Sequence, residues 1–478
     1  MSKNLSQYFI WERPCFPGLV YTPAEAVTVP HIKEFGYPWD DTLCFFSNGM
    51  IRAVWRIEVM TQNGAKITEK FLDSQYFNAK MKHHDEIMRK LASWFERVNT
   101  NALAKLSDEE YLVWWKDYND DFRNWWGFAQ VSDLIGMGSE FLLKQKFTLS
   151  PEQMNVLTTP TRKSYTTVEE EEMLNIVYCL LEKKDPNQLL KEHSEKYFWM
   201  LNSYADTKYL DEKYFFSVAE DIIKKGIGLE EKEKIKKNNE TRLIEIKEKS
   251  RALQTELKMT EQDKKLVKFI DYFTCFQDDR KAFSIKANHY TDLFMKELGR
   301  RAGLHYDLVK FICPQEYADV LRGGFELMRL KTRQKHFSIF FKATGTEIYE
   351  GTESEKQEQN VLGIEIDKNL SEFEGVRAMG GKVVGRVRKI MQLADLGTMQ
   401  NDEILVTTMT SPDFVVAMRK AKAIVTDQGG VTCHAAVISR ELGLPCVIGT
   451  SIATRVLNTG DLVEVRANHG IVRILERH

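Results

Sequence analysis

One stretch decides how the C-terminal part of this chain folds: Asp427-Gln-Gly-Gly-Val-Thr-Cys-His-Ala-Ala-Val-Ile-Ser-Arg-Glu-Leu-Gly443. It follows a short apolar run, Ala423–Thr426, that is typical of a buried strand. Gly429 and Gly430 allow the backbone to turn sharply and to approach a ligand without a side-chain clash. We therefore predict a strand, a sharp glycine turn and then a helix.

The start of this helix predicts an anion site. Thr432 is a natural N-cap, which would make Cys433 and His434 the first two helical residues, and Gly443 stands where a C-terminal cap belongs. Free backbone N–H groups and the positive end of the helix dipole meet at such a start. An imidazole there stays neutral near pH 7, since its ordinary pKa is about 6.5. His434 could therefore attack a phosphoryl group and carry it.

On the residues alone, other interpretations of His434 stay open. The histidine could simply cap the helix or pack at its start. A metal site is not predicted, because Cys433 is the one further ligand-type residue at ligand spacing. Arg440 lies later on the helix and would support a phosphate only if the geometry brings it round.

Strands and helices alternate around this stretch. The other predicted strands are 381–390, 403–408, 445–449 and a closing hairpin of 462–466 with 471–475. Ser411-Pro412-Asp413 is predicted to open a further helix. We therefore expect a compact α/β domain over 372–478.

The composition indicates a cytoplasmic protein of several domains. The chain has 478 residues, and 67 basic against 69 acidic side chains give a net charge of -2, which argues against a nucleic-acid binder. No apolar run is long enough for a membrane helix, and the N-terminus has no signal-peptide pattern. The seven cysteines are scattered without a CxxC pair, as expected of reduced thiols.

The region before the C-terminal domain is predicted to be mainly helical, so that the fold class is α+β and multidomain. Residues 1–75 form a mixed segment that packs on a helical domain over 76–350, and residues 351–371 form a polar linker. Details predicted within these regions are a strand over 51–59, a turn at Asn63-Gly64, a charged helical arm over 229–265, helices over 263–275 and 279–303, and a strand pair at 336–343 and 347–349.

Two local patterns in the helical domain carry further predictions. Ser107-Asp-Glu-Glu110 is a capping box that opens a helix. The pairs Trp114-Trp115 and Trp125-Trp126 belong either to the core between helices or to the lining of an apolar ligand pocket. His83-His-Asp-Glu86 is assigned to the solvated surface, and Arg300-Arg301 with His305 either to the surface or to the binding of an anionic acceptor.

The run Gly429-Gly-Val-Thr-Cys-His-Ala-Ala436, followed by Arg440-Glu-Leu-Gly-Leu-Pro445, resembles the mobile phosphohistidine domain of PEP-utilising enzymes. This family includes phosphoenolpyruvate synthase, pyruvate phosphate dikinase and rifampin phosphotransferase. The resemblance covers about 375–475 and implies that His434 is the phosphocarrier of a swivelling domain. It also implies supporting roles at the helix N-terminus for Gly429, Gly430, Thr432, Cys433 and Arg440. In the synthase and dikinase relatives the residue that matches Thr432 is a regulatory phosphorylation site.

Two parts of these enzymes have no counterpart that we can identify here. Neither an ATP-grasp domain nor a barrel that handles phosphoenolpyruvate is recognisable, and we expect no downstream barrel after His478. Residues 280–316 resemble the acceptor-binding region of rifampin phosphotransferase-like proteins, and the His-bearing subunit of phenylphosphate synthase is a precedent for a split enzyme. The resemblance therefore implies a phosphotransferase component that binds a small-molecule acceptor. A separate ATP-grasp-type subunit would hold ATP and Mg²⁺, with no cofactor on this chain.

Two alternatives to this function remain. The chain could be a phosphorelay or regulatory carrier without its own acceptor site, or a self-contained kinase whose first 370 residues contain a divergent ATP site. A deep apolar pocket lined by aromatic residues and facing His434 would favour the enzyme, whereas a filled core with an exposed docking face would favour the carrier.

Overall fold

The computed structural model describes residues 7–47, 49–226, 231–363, 370–391, 393–410, 414–427, 433–450 and 452–478. The chain divides into two compact units, Ser6–Glu358 and Gln359–His478. The first is mainly helical and the second is α/β, which confirms the predicted fold class. Within the described residues, no helix is both long and apolar enough to cross a membrane.

The first unit combines an antiparallel sheet with many helices. Its strands are β1 (Tyr8–Pro14), β2 (Thr42–Ser47), β3 (Met50–Arg56), β4 (His336–Lys342) and β5 (Gly345–Glu350). The helices up to the sheet's last two strands are α1 (Pro17–Ala26), α2 (Val29–Phe35), α3 (Ile57–Phe71), α4 (Ser74–Arg97), α5 (Thr100–Ala104), α6 (Asp108–Ala129), α7 (Val131–Lys146), α8 (Pro151–Thr158), α9 (Tyr165–Leu181), α10 (Asn187–Tyr197), α11 (Glu212–Lys224), α12 (Glu231–Glu256), α13 (Glu261–Ala302), α14 (Tyr306–Val309), α15 (Tyr317–Leu321) and α16 (Met328–Lys335), and α17 (Gly351–Leu362) follows. The strand order is β1-β3-β2-β4-β5. Because β2 and β4 are neighbours, strands from the start of the chain share one sheet with strands that follow α16.

Two predictions failed where tertiary packing or chain continuity overrides a local pattern. Asn63-Gly64 lies inside α3 instead of forming a turn. A Cβ at Gly64 would lie 2.1 Å from the carbonyl oxygen of Leu134, so this glycine serves the close approach of α3 to α7. The helices predicted over 263–275 and 279–303 are the single helix α13, because Gln277-Asp-Asp279 contains no glycine or proline to break it.

The linker differs from its predicted form, whereas the charged arm agrees with the predicted helix or helical hairpin. From Glu231 onward the charged arm is α12 followed by the first turn of α13, so it is a helix pair. Residues 351–362, which the sequence assigns to the linker, form helix α17. The capping box at Ser107 and the strand pair β4–β5 are confirmed.

The second unit is built on one eight-stranded sheet. Its strands are β6 (Glu372–Glu374), β7 (Val376–Met379), β8 (Lys382–Lys389), β9 (Ile404–Thr407), β10 (Ala423–Thr426), β11 (Cys446–Ile448), β12 (Leu462–Arg466) and β13 (Ile471–Glu476). Its described helices are α18 (Val415–Met418), α19 (His434–Leu442) and α20 (Ala453–Val456). The order is β6-β13-β12-β8-β9-β10-β11-β7, and the ladders from β8 to β11 are parallel. The strands predicted in this region are confirmed, whereas the helix start predicted at Ser411–Asp413 lies outside the described residues.

Both faces of this sheet are covered. Ile404 and Val406 of β9 pack into one apolar cluster, and Leu405 between them packs into another on the opposite face. Ala435 and Ala436 of α19 belong to the second cluster. The small alanine side chains allow α19 to lie close against the sheet, which fixes where its first turn begins.

Candidate functional site

The first candidate site lies where parallel strands β9 and β10 end. The register pairs Ile404 with Ala423 and Thr407 with Thr426, so the two strands stop side by side. Open α/β sheets bind their ligands at this carboxyl edge. Helix α19 is the next helix after β10, and it therefore begins on the same side of the sheet.

The start of α19 places His434 in the first helical turn. Cys433 is the N-cap, with extended backbone angles (φ -68°, ψ 163°) and no capping hydrogen bond from its side chain. The prediction that Thr432 is the cap was wrong by one residue, because Cys433 keeps the extended backbone of a cap and His434 is the first helical residue. Gly429, Gly430 and Thr432 lie outside the described residues.

The far end of α19 follows the prediction. Gly443 adopts the left-handed conformation (φ 68°) of a C-terminal cap, which a residue with a side chain would adopt less readily. Arg440, by contrast, does not serve the helix N-terminus. It lies six residues, about 9 Å, beyond His434 along the helix. Its Nε donates to the carbonyl oxygen of Ala378 in β7 at 3.1 Å, so this arginine ties α19 to the sheet edge.

Asp427 is a residue of this site that the sequence reasoning missed. Its buried carboxylate accepts hydrogen bonds from the Thr450 hydroxyl at 3.0 Å and from the Thr454 backbone N–H and hydroxyl. The Thr450 N–H also donates to the Thr426 carbonyl oxygen at 3.1 Å. Burial raises the pKa of the Asp427 carboxyl. The available signal was a single carboxylate between a buried strand and a pair of glycines.

The groups assigned to the surface are partly buried. His84 packs between Phe128 and Phe276, with ring centroids 4.9 and 5.0 Å away, and burial lowers its pKa. The Arg301 side chain is buried as well and donates to Glu297 at 2.7 Å. The surface assignment was therefore wrong for these two residues. Within the described part of the chain, no cluster of His, Cys, Asp and Glu could hold a metal ion.

A second candidate site is a cavity of about 750 Å³ inside the Ser6–Glu358 unit. One wall is a face of the antiparallel sheet, where alternate residues of β1 and β3 stand beside each other. The facing pairs on this wall are Phe9 with Trp55, Trp11 with Ala53, and Arg13 with Ile51. The sequence signal was the alternation in Phe9-x-Trp11-x-Arg13 and Ile51-x-Ala53-x-Trp55, which predicts a strand but not what faces it.

Helices form the other walls of the cavity. The lining residues of α13 recur every three or four positions, as one helix face requires, and include Ile270, Phe273, Gln277, Arg280 and Ser284. Helix α7 adds Asp133, Gly136 and Glu140, again on one face. Trp125 and Trp126 are both buried, and Trp126 also lines the cavity. This pair therefore belongs to the core between helices and, through Trp126, to the lining of an apolar pocket. The volume is within the range of small-molecule sites, roughly 300–1,000 Å³.

Comparison with known proteins identifies the smaller unit. Residues 399–470 match the family described as PEP-utilising enzyme, mobile domain. A probable phosphoenolpyruvate synthase of Methanothermobacter thermautotrophicus is 50% identical over 99 residues, which are 21% of this chain and 14% of that protein. Phosphoenolpyruvate synthase of Pyrococcus furiosus is 47% identical over 108 residues, 23% of this chain and 13% of that protein. The chain thus matches less than a sixth of the length of these relatives.

A solved structure gives a weaker similarity. The crystal structure of Thermococcus kodakaraensis aconitase X in its holo-form is 20% identical, with a TM-score of 0.18, over 22% of this chain and 98% of that one. A TM-score this low does not establish a shared fold. The sequence matches, together with a helix that begins at His434 beside the carboxyl ends of parallel strands, identify residues 399–470 as a mobile domain of the PEP-utilising enzyme family.

Proposed function

We propose that this chain is a phosphotransferase component in which His434 is transiently phosphorylated and then phosphorylates a small molecule. The observation that carries the proposal is the match of residues 399–470 to the mobile domain, with His434 as the first helical residue of α19. The helix start supplies unpaired N–H groups and the positive end of a dipole, both of which stabilise a phosphoryl group.

The reaction has two steps. First, an imidazole nitrogen attacks phosphorus, so that a P–N bond forms, the P–O bond to the donor breaks, and the ring proton passes to solvent. Second, an acceptor hydroxyl oxygen attacks, so that a new P–O bond forms, the P–N bond breaks, and the hydroxyl proton passes to the imidazole. Positioning and neutralisation of charge would supply most of the rate in both steps.

The cavity is the proposed acceptor site, and the phosphoryl donor is proposed to come from another chain. The aromatic lining between the sheet and α13 supports the binding of a small-molecule acceptor in this cavity. A partner of the ATP-grasp type would bind ATP and Mg²⁺ and phosphorylate His434.

Phosphohistidine chemistry gives a direct test. The full chain is incubated with ATP labelled in its β- or γ-phosphate, or with labelled phosphoenolpyruvate, with and without the candidate partner. We expect a label that is lost in acid, kept in base and absent from His434→Asn. His469→Asn changes another histidine of the same unit and should keep the label. A label that persists in His434→Asn, or no label with any donor, contradicts the proposal.

A further inference from the structure

Several side chains that line the cavity of the Ser6–Glu358 unit carry hydrogen-bond donors that have lost contact with water without gaining a partner. Four buried nitrogens of its lining side chains have no hydrogen-bond acceptor among the described residues: Arg13 Nε, Arg280 Nε, Trp39 Nε1 and Trp126 Nε1. Arg280, Trp39 and Trp126 are each more than nine-tenths buried. A buried donor without an acceptor is destabilising, and such groups are rare in folded proteins.

We infer that the cavity binds an apolar, ring-containing organic acid, whose acid group pairs with the Arg13 guanidinium. A guanidinium has only N–H donors, so the partner that Arg13 lacks is an acceptor such as a carboxylate. The inference deepens the proposed function, because this molecule, when it also carries a hydroxyl group, would be the phosphoryl acceptor. Binding itself does not depend on phosphoryl transfer.

The shape and chemistry of the walls select a molecule with rings. Phe9 stacks on Trp55 with centroids 5.9 Å apart, and Trp39 meets the same indole edge-on at 5.5 Å. Trp11 and Tyr204 form another edge-to-face pair at 5.6 Å. These packed pairs present rigid ring faces and edges to the cavity, against which a flat apolar ligand packs with little loss of side-chain entropy.

The two arginines of the cavity lining differ in whether their positive charge already has a carboxylate partner. The Nη atoms of Arg280 donate to the carboxylate of Asp133 and to Gln130, so its charge is already balanced. The Arg13 guanidinium lies 4.3 Å from the Trp11 ring centroid, and no carboxylate of the described chain forms an ion pair with it. Burial lowers the Arg13 pKa, since the positive charge has poor access to water. An anion bound beside Arg13 would stabilise that charge, so Arg13 is the inferred anchor of the acid group.

A pair of fluorescent probes tests the acid group. The probe 8-anilinonaphthalene-1-sulfonate has two apolar ring systems and an anionic oxygen-acceptor group, whereas N-phenyl-1-naphthylamine is nearly the same molecule without the sulfonate. Titrated into the full chain, the sulfonate should saturate one site per chain. It should bind at least about tenfold more tightly than the neutral probe, as an ionic hydrogen bond predicts. Equal binding of both probes, or many weak sites, overturns the inference.

Two matched pairs of variants locate the site. An added Cβ at Gly136 meets no atom within 4 Å, so Gly136→Trp should fill part of the cavity without disturbing the fold, and Gly136→Ala is its control. Arg13→Met removes the anchor, and Arg97→Met is the control because Arg97 also stacks on a tryptophan (3.9 Å from Trp94) but does not line the cavity.

The expected pattern is specific to each variant. Gly136→Trp should weaken both probes at least about tenfold, and Arg13→Met should remove the preference for the sulfonate alone. The two controls should leave both affinities unchanged. If Gly136→Trp binds both probes as well as Gly136→Ala does, the cavity is not the site. The assay contains no phosphoryl donor, so an empty cavity with a labelled His434 overturns this inference alone, and a filled cavity with an unlabelled His434 overturns the proposed function alone.

Discussion

The two units hold their candidate sites in different ways. In Gln359–His478 the site is local: the end of β10 and the first turn of α19 lie close together in the sequence. In Ser6–Glu358 the cavity is assembled from β1, β3, α7 and α13, which are widely separated in sequence. All nine tryptophans lie in this larger unit and none in the smaller. A site built on one turn is visible as a motif, whereas a site built by packing is visible only in the fold.

The largest predicted difference between the units concerns their ion pairs. Arg333 is fully buried in the larger unit, where it donates to Glu316 at 2.6 Å and to Glu350 at 2.8 Å. Arg388 of the smaller unit pairs with Glu403 at 2.7 Å but stays partly exposed. Arg333→Met should lower the free energy of unfolding by about 3–5 kcal/mol, because it leaves buried carboxylates unpaired. Arg388→Met should lower it by about 1 kcal/mol or less.

Hydrogen exchange with mass spectrometry measures both variants, since it reports protection separately for peptides of each unit. Tryptophan fluorescence during urea unfolding gives a second measurement for the larger unit alone, because the smaller unit has no tryptophan. Similar losses of protection in the two variants would contradict the predicted difference between the units. Both ion pairs would then contribute to stability as surface pairs do, or both as buried pairs do.

The sequence predicted those parts of the fold that depend on neighbouring residues. The Ser107 capping box and the Gly443 cap are each set within a few positions, and both are present. Gly64 failed because its reason is a contact with α7, about 70 residues away, and a glycine after asparagine looks the same in a turn and in a tight helix crossing. The single helix α13 was missed because polar residues do not end a helix when neighbouring helices cover its other face.

In the candidate sites, too, the features set by neighbouring residues could be predicted, and those set by tertiary contacts could not. His434 could be found from its place after a glycine pair and before an apolar helix, and the comparison supports that motif. Asp427 could not be ranked above other carboxylates, because its role depends on Thr450 and Thr454, which reach it only in the folded sheet. The orphaned donors of Arg13 and Arg280 have no sequence signal, since hydrogen-bond satisfaction is a property of three-dimensional packing.

Acid should act on the larger unit through buried histidine. The His31 ring is fully buried, its Nδ1 lies 2.7 Å from the Tyr37 carbonyl oxygen, and burial lowers its pKa to about 4. The unfolded imidazole has a pKa of about 6.5, so as the pH falls from 6.5 to 4 the unfolded state takes up a proton that the folded state does not. This group alone should therefore remove up to about 3 kcal/mol of stability across that range.

His31→Asn tests the acid effect, because asparagine keeps an N–H donor for Tyr37 but does not ionise. Urea unfolding followed by tryptophan fluorescence at several pH values should give a shallower fall in stability for the variant than for the natural chain. The variant is expected to be less stable at pH 7, where ring packing against Phe35 is lost. Parallel pH profiles for the two proteins would show that His31 does not contribute to the acid sensitivity of this unit.

In the smaller unit the sign of the acid effect is reversed. Burial raises the pKa of Asp427, so its folded form holds a proton at a pH where the unfolded carboxyl has lost it. Its contribution to stability is therefore fully present below the ordinary carboxyl pKa of about 3.9 and is lost as the pH rises through the folded value. Asp427→Asn imitates the protonated form and should remove this dependence.

At pH 7 the two effects of Asp427→Asn oppose each other, so we expect a net change within about 1 kcal/mol. The variant removes a desolvated charge, but its amide cannot accept from the Thr454 hydroxyl as the second carboxylate oxygen does. Exchange protection of peptides from β10 and β11, corrected for intrinsic rates at pH 5 and pH 8, measures the change. If Asp427→Asn has no effect in a chain that already carries Thr454→Val, the hydroxyl contact carries the effect. A loss above about 3 kcal/mol at pH 7 would instead mean that the charged carboxylate stabilises the contacts with Thr450 and Thr454.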